Sequence, residues 1–196
     1  MMAKQLPPAR FISAEPTIVS SAIDQRSATG SNRQKGLRKG SHYAYEFALE
    51  PMSHAEALDW LDLRNEADTV IVEVPQMGLE IGSPGTTRVD GSGQAGTSLA
   101  IKGFTPSYPV RKGQAFNHIG SDGVRRIYVA DADVIADGSG KATVPLETML
   151  NWPPLNNEVI DFAEVRIEGF ASVEKGSFLQ DGDGWHRIRF TVEEPG

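Results

Sequence analysis

Six residues decide between two fold classes for this chain. Gly91-Ser92-Gly93-Gln94-Ala95-Gly96 matches G-x-G-x-x-G, the spacing of a dinucleotide-binding turn. Such a turn works between a buried strand and the N-terminus of a helix, where backbone N–H groups and the helix dipole hold a pyrophosphate. The flanking residues supply neither. After it, Leu99 and Ile101 alternate with small or polar neighbours until Gly103, which is a strand pattern. Before it, Gly85 to Asp90 are too polar for a buried parallel strand. The stretch therefore reads as the glycine-rich, hinge-like start of a β-module. This predicts Leu99 and Ile101 on a strand with inward side chains; a helix starting near Ala95 would reinstate the nucleotide.

Composition agrees with a β-rich chain. Twenty Gly and 12 Pro among 196 residues, with 8% aromatics, imply many turns. Cysteine is absent, which excludes disulfides, thiolate metal sites and a thiol nucleophile. No stretch approaches the roughly 18 apolar residues of a membrane helix, and Met1 to Pro8 lacks the apolar core of a signal peptide. The net charge of −7 is uneven. Residues 1–40 carry Lys4, Arg10, Arg26, Arg33, Lys35, Arg38 and Lys39 against Glu15 and Asp24, a net of +5, which leaves −12 for the other 156 residues. A basic arm on an acidic body can bind nucleic acid or an acidic face of a neighbouring copy. With Phe11 as its one aromatic, the arm lacks the stacking side chains of single-strand binders, so the neighbouring copy is the better reading.

Along the chain, Pro-rich residues 1–16 read as an extended arm, and Thr17 to Thr29 as a strand region. Gly30 to Gly36 read as a loop, with Arg33, Lys35, Arg38 and Lys39 on a solvated hairpin tip. Tyr43, Tyr45, Phe47 and Leu49 share one face of a strand that Pro51 stops. Ser53 and Glu56 form a capping box that predicts a helix over 54–67, followed by a strand from Thr69 to Val74. From Thr97 to Leu150 short apolar runs alternate with Gly turns, as in a small barrel. Two more strands are expected, Val159 to Glu168 and His186 to Glu193, with a loop from Gly176 to Gly184 between them. The fold class is mainly β with one α-helix: a β-sandwich or split-barrel belt domain, 17–85 plus 151–196, with an inserted small β-barrel (OB-like) module at 86–150.

Residue types that carry chemistry are scattered. His42, His54, His118 and His186 include no i,i+4 pair or H-E-x-x-H, and no G-x-S-x-G elbow occurs. Asp131, Asp133 and Asp137, and separately Asp181 and Asp183, lack the oxygen count and the Glu of a calcium loop, and read as turn solvation. A hydrolase using His118 or His186 is an enzymatic alternative without a motif. Trp60 reads as core, and Trp152 and Trp185 as an interdomain seam or a glycan-stacking surface. The expectation is no catalytic residue, no metal and no cofactor.

The order of these blocks carries a resemblance. A basic strand region precedes Tyr43 to Ala57 and Val70 to Val74. Next come Val89 to Gly103 and Val110 to Phe116. Ile127 to Asp137 and Gly140 to Leu146 lead to Trp152-Pro153-Pro154-Leu155 and a closing strand. This arrangement, covering most of 17–194 and resting on order and spacing, resembles the distal tail proteins of long-tailed bacteriophages or gene transfer agents. The resemblance implies a structural virion protein made in the host cytoplasm. It implies self-association into a homohexameric ring that joins the tail tube protein to baseplate-hub or tail-tip proteins. Tape measure and tail fibres are further contacts, without membrane or sequence-specific nucleic acid. The basic residues Arg33, Lys35, Arg38 and Lys39 are then assembly contacts. The alternative is a tail-tip carbohydrate-binding module acting through Trp152 or Trp185 on host-surface glycans. The module at 86–150 is short for a full carbohydrate-binding site.

Overall fold

The strand at residues 42–49 organises the first of two large sheets. In the computed structural model the described residues are 3–8, 10–21, 23–26, 33–36, 39–60, 63, 69–173, 179–180 and 184–195, with backbone alone for 23–26, 33–36 and 179–180. Numbered along the chain, the first sheet holds β1 (Lys4–Gln5), β2 (Phe11–Val19), β5 (His42–Leu49), β6 (Thr69–Glu73), β15 (Arg166–Val173) and β18 (Arg189–Glu193). Their order is β1-β6-β15-β18-β5-β2, antiparallel except where β1 runs parallel to β6. Tyr43, Tyr45, Phe47 and Leu49 are all buried, as their alternation predicts, and Phe47 stacks on Phe190 of β18 at 5.1 Å.

The second sheet holds β7 (Gly85–Val89), β8 (Ser98–Phe104), β10 (Ala115–Ile119), β11 (Arg125–Val129), β13 (Lys141–Pro145) and β14 (Val159–Asp161). Its order is β11-β10-β14-β7-β8-β13. Three two-stranded pairs complete the fold: β3 (Ile23–Arg26) with β4 (Arg33–Gly36), β9 (Pro109–Val110) with β12 (Val134–Ile135), and β16 (Leu179–Gln180) with β17 (His186–Arg187). Among the described residues strand far outweighs helix, and the antiparallel sheets curl into a half-barrel. The protein is thus mainly β, of the sandwich or barrel class, with one short helix among the described residues.

The glycine stretch is a loop into a strand. Gly91, Gly93 and Gly96 take positive φ, and Leu99 and Ile101 are fully buried on β8. Gln94 holds the turn: its amide accepts from the Ala100 N–H at 2.6 Å and donates to the Asp90, Gly91 and Ala100 carbonyls. Helical phosphate-cradle geometry is absent here. Further on, β8 bends against β7, where a Cβ on Gly103 would run into the Thr86 carbonyl and φ is +84°.

Several expectations need correction. The helix α1 spans His54–Leu58 rather than 54–67. Its capping box is present, but beyond it Asp59, Trp60 and Leu63 bond back three residues, to Glu56, Ala57 and Trp60. Ala57, Trp60 and Leu63 are the residues that face the core, a spacing of three, which a 3₁₀ turn satisfies better than an α-helix. Residues 61–62 and 64–68 lie outside the described residues. The run Val159–Glu168 is two strands in different sheets. Asp161 accepts from the Ala163 and Glu164 N–H groups, forming a side-chain turn that ends β14 and redirects the chain into β15. The second sheet therefore runs from Gly85 to Asp161. Phe11–Pro16, read as arm, belongs to β2; Pro16 is tolerated because β2 is the sheet edge. Leu179–Gln180, read as loop, pairs with β17.

The two sheets share one hairpin. Ala115, Ile127 and Val129 pack into the first core, while Phe116, Tyr128 and Ala130 pack into the second. The hairpin β10–β11 is buried on both faces and fixes one module against the other.

Candidate functional site

Two cavities flank this construction, and the two tryptophans singled out by sequence divide between them. The first is a cavity of about 310 Å³ at the seam between the sheets, lined by Arg126 and Tyr128 of β11, by His42, Asn151 and Trp152, and by Glu194 after β18. Trp152 is 47% exposed, and the Arg126 guanidinium lies 5.1 Å from its ring centroid. Arg126 is held in place by both oxygens of Asp122, at 2.6 and 3.3 Å, and this pairing keeps the Asp122 carboxyl below its usual range. Asn151 accepts from the Gly40 N–H and donates to the Ser41 carbonyl, pinning the start of β5 beside the cavity.

The seam itself is built from side chains bonded to the opposite module's backbone. Fully buried Asn117 of β10 donates to the Arg166 carbonyl at 2.8 Å and accepts from the Arg166 N–H at 2.7 Å, so one amide substitutes for a rung of strand pairing between β10 and β15. Glu194 accepts from the Tyr43 N–H at 3.0 Å and the Ile127 N–H at 2.7 Å, one from each sheet. Burial pushes its carboxyl up to about 7, against the pull of those two amides and of His42 and Arg126. Gln76 accepts from the Ala115 N–H and donates to the Phe162 carbonyl. Burial opposes the His42 cation, but the 2.9 Å bond to Glu193, the bond to the Gly40 carbonyl and the charges of Glu193 and Glu194 together outweigh it and raise the His42 pKa.

The second cavity is a groove of about 730 Å³ between the N-terminal segment, the β5–α1 connection and the 3₁₀ turn. Pro7, Pro51, Met52 and Trp60 supply its apolar surface, and Trp185, 49% exposed, stands on one wall. Glu50, Glu56 and Asp59 give it an acidic rim, against one cation in the lining, Arg10. Ser53 donates to Glu56 from both its N–H and its hydroxyl, and these bonds hold the Glu56 carboxyl low, hence ionised. Trp152 and Trp185 thus do not form one surface.

The basic residues fall elsewhere. Arg33 and Lys35 lie on strand β4 rather than at the tip, and the tip, 27–32, lies outside the described residues, as does Arg38. Lys39 is exposed, and its carbonyl accepts from the Ser21 hydroxyl. The histidines fall in three places, His42 at the seam, His118 in the second module and His54 beside His186. His118 is fully buried with Nε2 2.7 Å from Glu158, and burial lowers its pKa despite that partner. Glu158 also accepts from the Ser121 and Leu155 N–H groups, so the pair locks loops of the second module. His186 pairs with His54 of α1, Nε2 to Nδ1, at 3.1 Å. Asp133 accepts from the Lys112 N–H, and Asp137 from the Ser139 and Lys141 N–H groups, as turn residues do. Asp181 and Asp183 lie outside the described residues. No group of three or more His, Asp or Glu placed to hold a metal occurs among the described residues.

Sequence reasoning missed Asn117, Glu194 and Gln76. A signal existed for Asn117: an amide inside the apolar run Ala115–Ile119 must find a partner if both faces are buried. A scan against protein-family models finds no match, and a search of curated proteins finds none either.

Proposed function

We propose that this chain is a structural tail-tip protein. It assembles into a closed ring at the distal end of a phage tail, joins the tail tube to the baseplate hub and fibres, and acts without catalysis. The observation that supports it most is the edge of the first sheet. β2 is nine residues long and has no described strand beyond it, yet it exposes Ile12 (61%) and Ile18 (42%). Glu15 and Pro16 blunt the middle of this edge, but the exposed isoleucines toward its two ends are apolar surface of the kind that natural proteins cover. Leading out of that edge, β3–β4 is a separate two-stranded sheet that joins neither large sheet. An edge and a separate hairpin on one chain suit a head-to-tail contact, which closes a ring when the rotation fits. Analytical ultracentrifugation of the full chain at high micromolar concentration tests this. A discrete closed oligomer is expected, and a persistent monomer counts against the reading.

A second reading, glycan binding at the tail tip, draws on Trp152 and Trp185, each about half-exposed beside a cavity. Binding on a glycan array that disappears in Trp185→Ala or Trp152→Ala supports it. An array without any bound polysaccharide removes it.

A further inference from the structure

We infer that the acidic groove beside Trp185 is the seat for the basic β3–β4 hairpin of a second copy of this chain. This inference rests on the ring reading above and specifies its contact. The first argument is charge. Residues 23–39 contain Arg26, Arg33, Lys35, Arg38 and Lys39 against Asp24, a net of +4. The groove presents Glu50, Glu56 and Asp59 against Arg10, a net of −2. Opposite potentials of this kind steer association and fix its register.

The second argument is placement. β2 and β5 pair from Phe11–Leu49 at one end to Val19–His42 at the other. The groove lies at the Leu49 end, where the Glu50 N–H bonds the Arg10 carbonyl. The hairpin is rooted at the His42 end, where Ser21 bonds both Ser41 and the Lys39 carbonyl. Seven residue steps of strand separate the ends, roughly 24 Å at the usual rise. The root of the hairpin and the groove therefore sit at opposite ends of one strand pair. Donor and acceptor on opposite ends of the same subunit define a heterologous contact, repeated from copy to copy.

The third argument is shape. The groove, about 730 Å³, has Pro7, Pro51 and Trp185 at its surface beside the carboxylates. Rigid apolar walls with an acidic rim take the aliphatic stems of Arg and Lys while pairing their heads.

The absence of cysteine in the chain makes the test direct. Single variants Lys35→Cys and Asp59→Cys are purified, mixed and oxidised at low salt. Each is first checked by circular dichroism for an unchanged fold. A covalent dimer between the two variants is expected. It should fall at least tenfold when Glu50→Lys is added to the groove copy, and recover when Arg33→Glu is added to the hairpin copy. A mixed population that oligomerises by ultracentrifugation yet forms no such dimer overturns the inference while leaving the ring intact. Chains that neither cross-link nor oligomerise overturn both. Rings whose groove cysteine stays open to a maleimide label also overturn it, by showing that the groove takes another occupant or none.

Discussion

Asn117 offers the sharpest test of how the two modules are joined. Its amide is fully buried and makes two bonds, 2.8 and 2.7 Å, to the carbonyl and N–H of Arg166. Replacing it by Ala removes both partners at once and leaves two backbone groups at the seam. An unsatisfied buried donor or acceptor costs about 1–3 kcal/mol. Arg166 is only half-buried, so water can reach part of the gap, and the lower half of that range applies to each group. The expected loss is about 2–4 kcal/mol, or about 4–16 °C in Tm for a chain of this size. Urea unfolding of Asn117→Ala against wild type measures it, and hydrogen exchange at Arg166 locates it. The Arg166 amide should lose most of its protection while core amides of β8, such as Ile101, keep theirs. A loss under about 0.5 kcal/mol with Arg166 protection unchanged would refute the claim that this amide ties the modules together.

Other outcomes follow from the same contacts. The Glu194 carboxyl, raised from 4.5 to about 7 in the fold, releases its proton on unfolding between those values. Its contribution therefore lowers stability as pH rises through that window, by up to about 3 kcal/mol, and Glu194→Gln should flatten the slope of stability measured from pH 4.5 to 7. Gly103→Ala forces a Cβ toward the Thr86 carbonyl at positive φ and should destabilise by more than about 1 kcal/mol, seen as a lower urea midpoint. Ser53→Ala removes the side-chain half of the α1 capping box, leaving the backbone N–H of residue 53 on Glu56, and should cost about 1 kcal/mol, read by thermal melting. Leu99→Ala, at a fully buried site, should cost about 2–5 kcal/mol in the same assay.

The parts of the fold legible in the sequence were those set by local alternation. Tyr43 to Leu49 and Ile188 to Val192 announce their buried faces, and Leu99 with Ile101 is enough to turn a nucleotide fingerprint into a strand start. The helix was overextended because Leu58 and Leu61 suggest a 3.6-residue stripe, while Leu58 is in fact 49% exposed and the core takes every third residue. The break at Phe162 is hidden because it uses an Asp turn inside a run of mixed apolar and charged residues that reads as one strand, with no Gly or Pro to mark it. The seam was least legible. Asn117, Glu194 and Gln76 act across modules far apart in sequence; Asn117 stands out as an amide within a buried strand, but Gln76 and Glu194 lie just past strand ends, where a polar residue is ordinary. Of the residues singled out for contact, sequence identified the half-exposed tryptophans, but nothing local reveals that Trp152 and Trp185 face different cavities.

Cryo-electron microscopy of intact tails decides whether the proposed ring exists. A closed ring of this two-sheet fold is expected between tube and baseplate, with each β3–β4 hairpin on the Trp185 groove of the next copy. Tails whose tip density excludes this fold, or particles that lack the chain altogether, would contradict it.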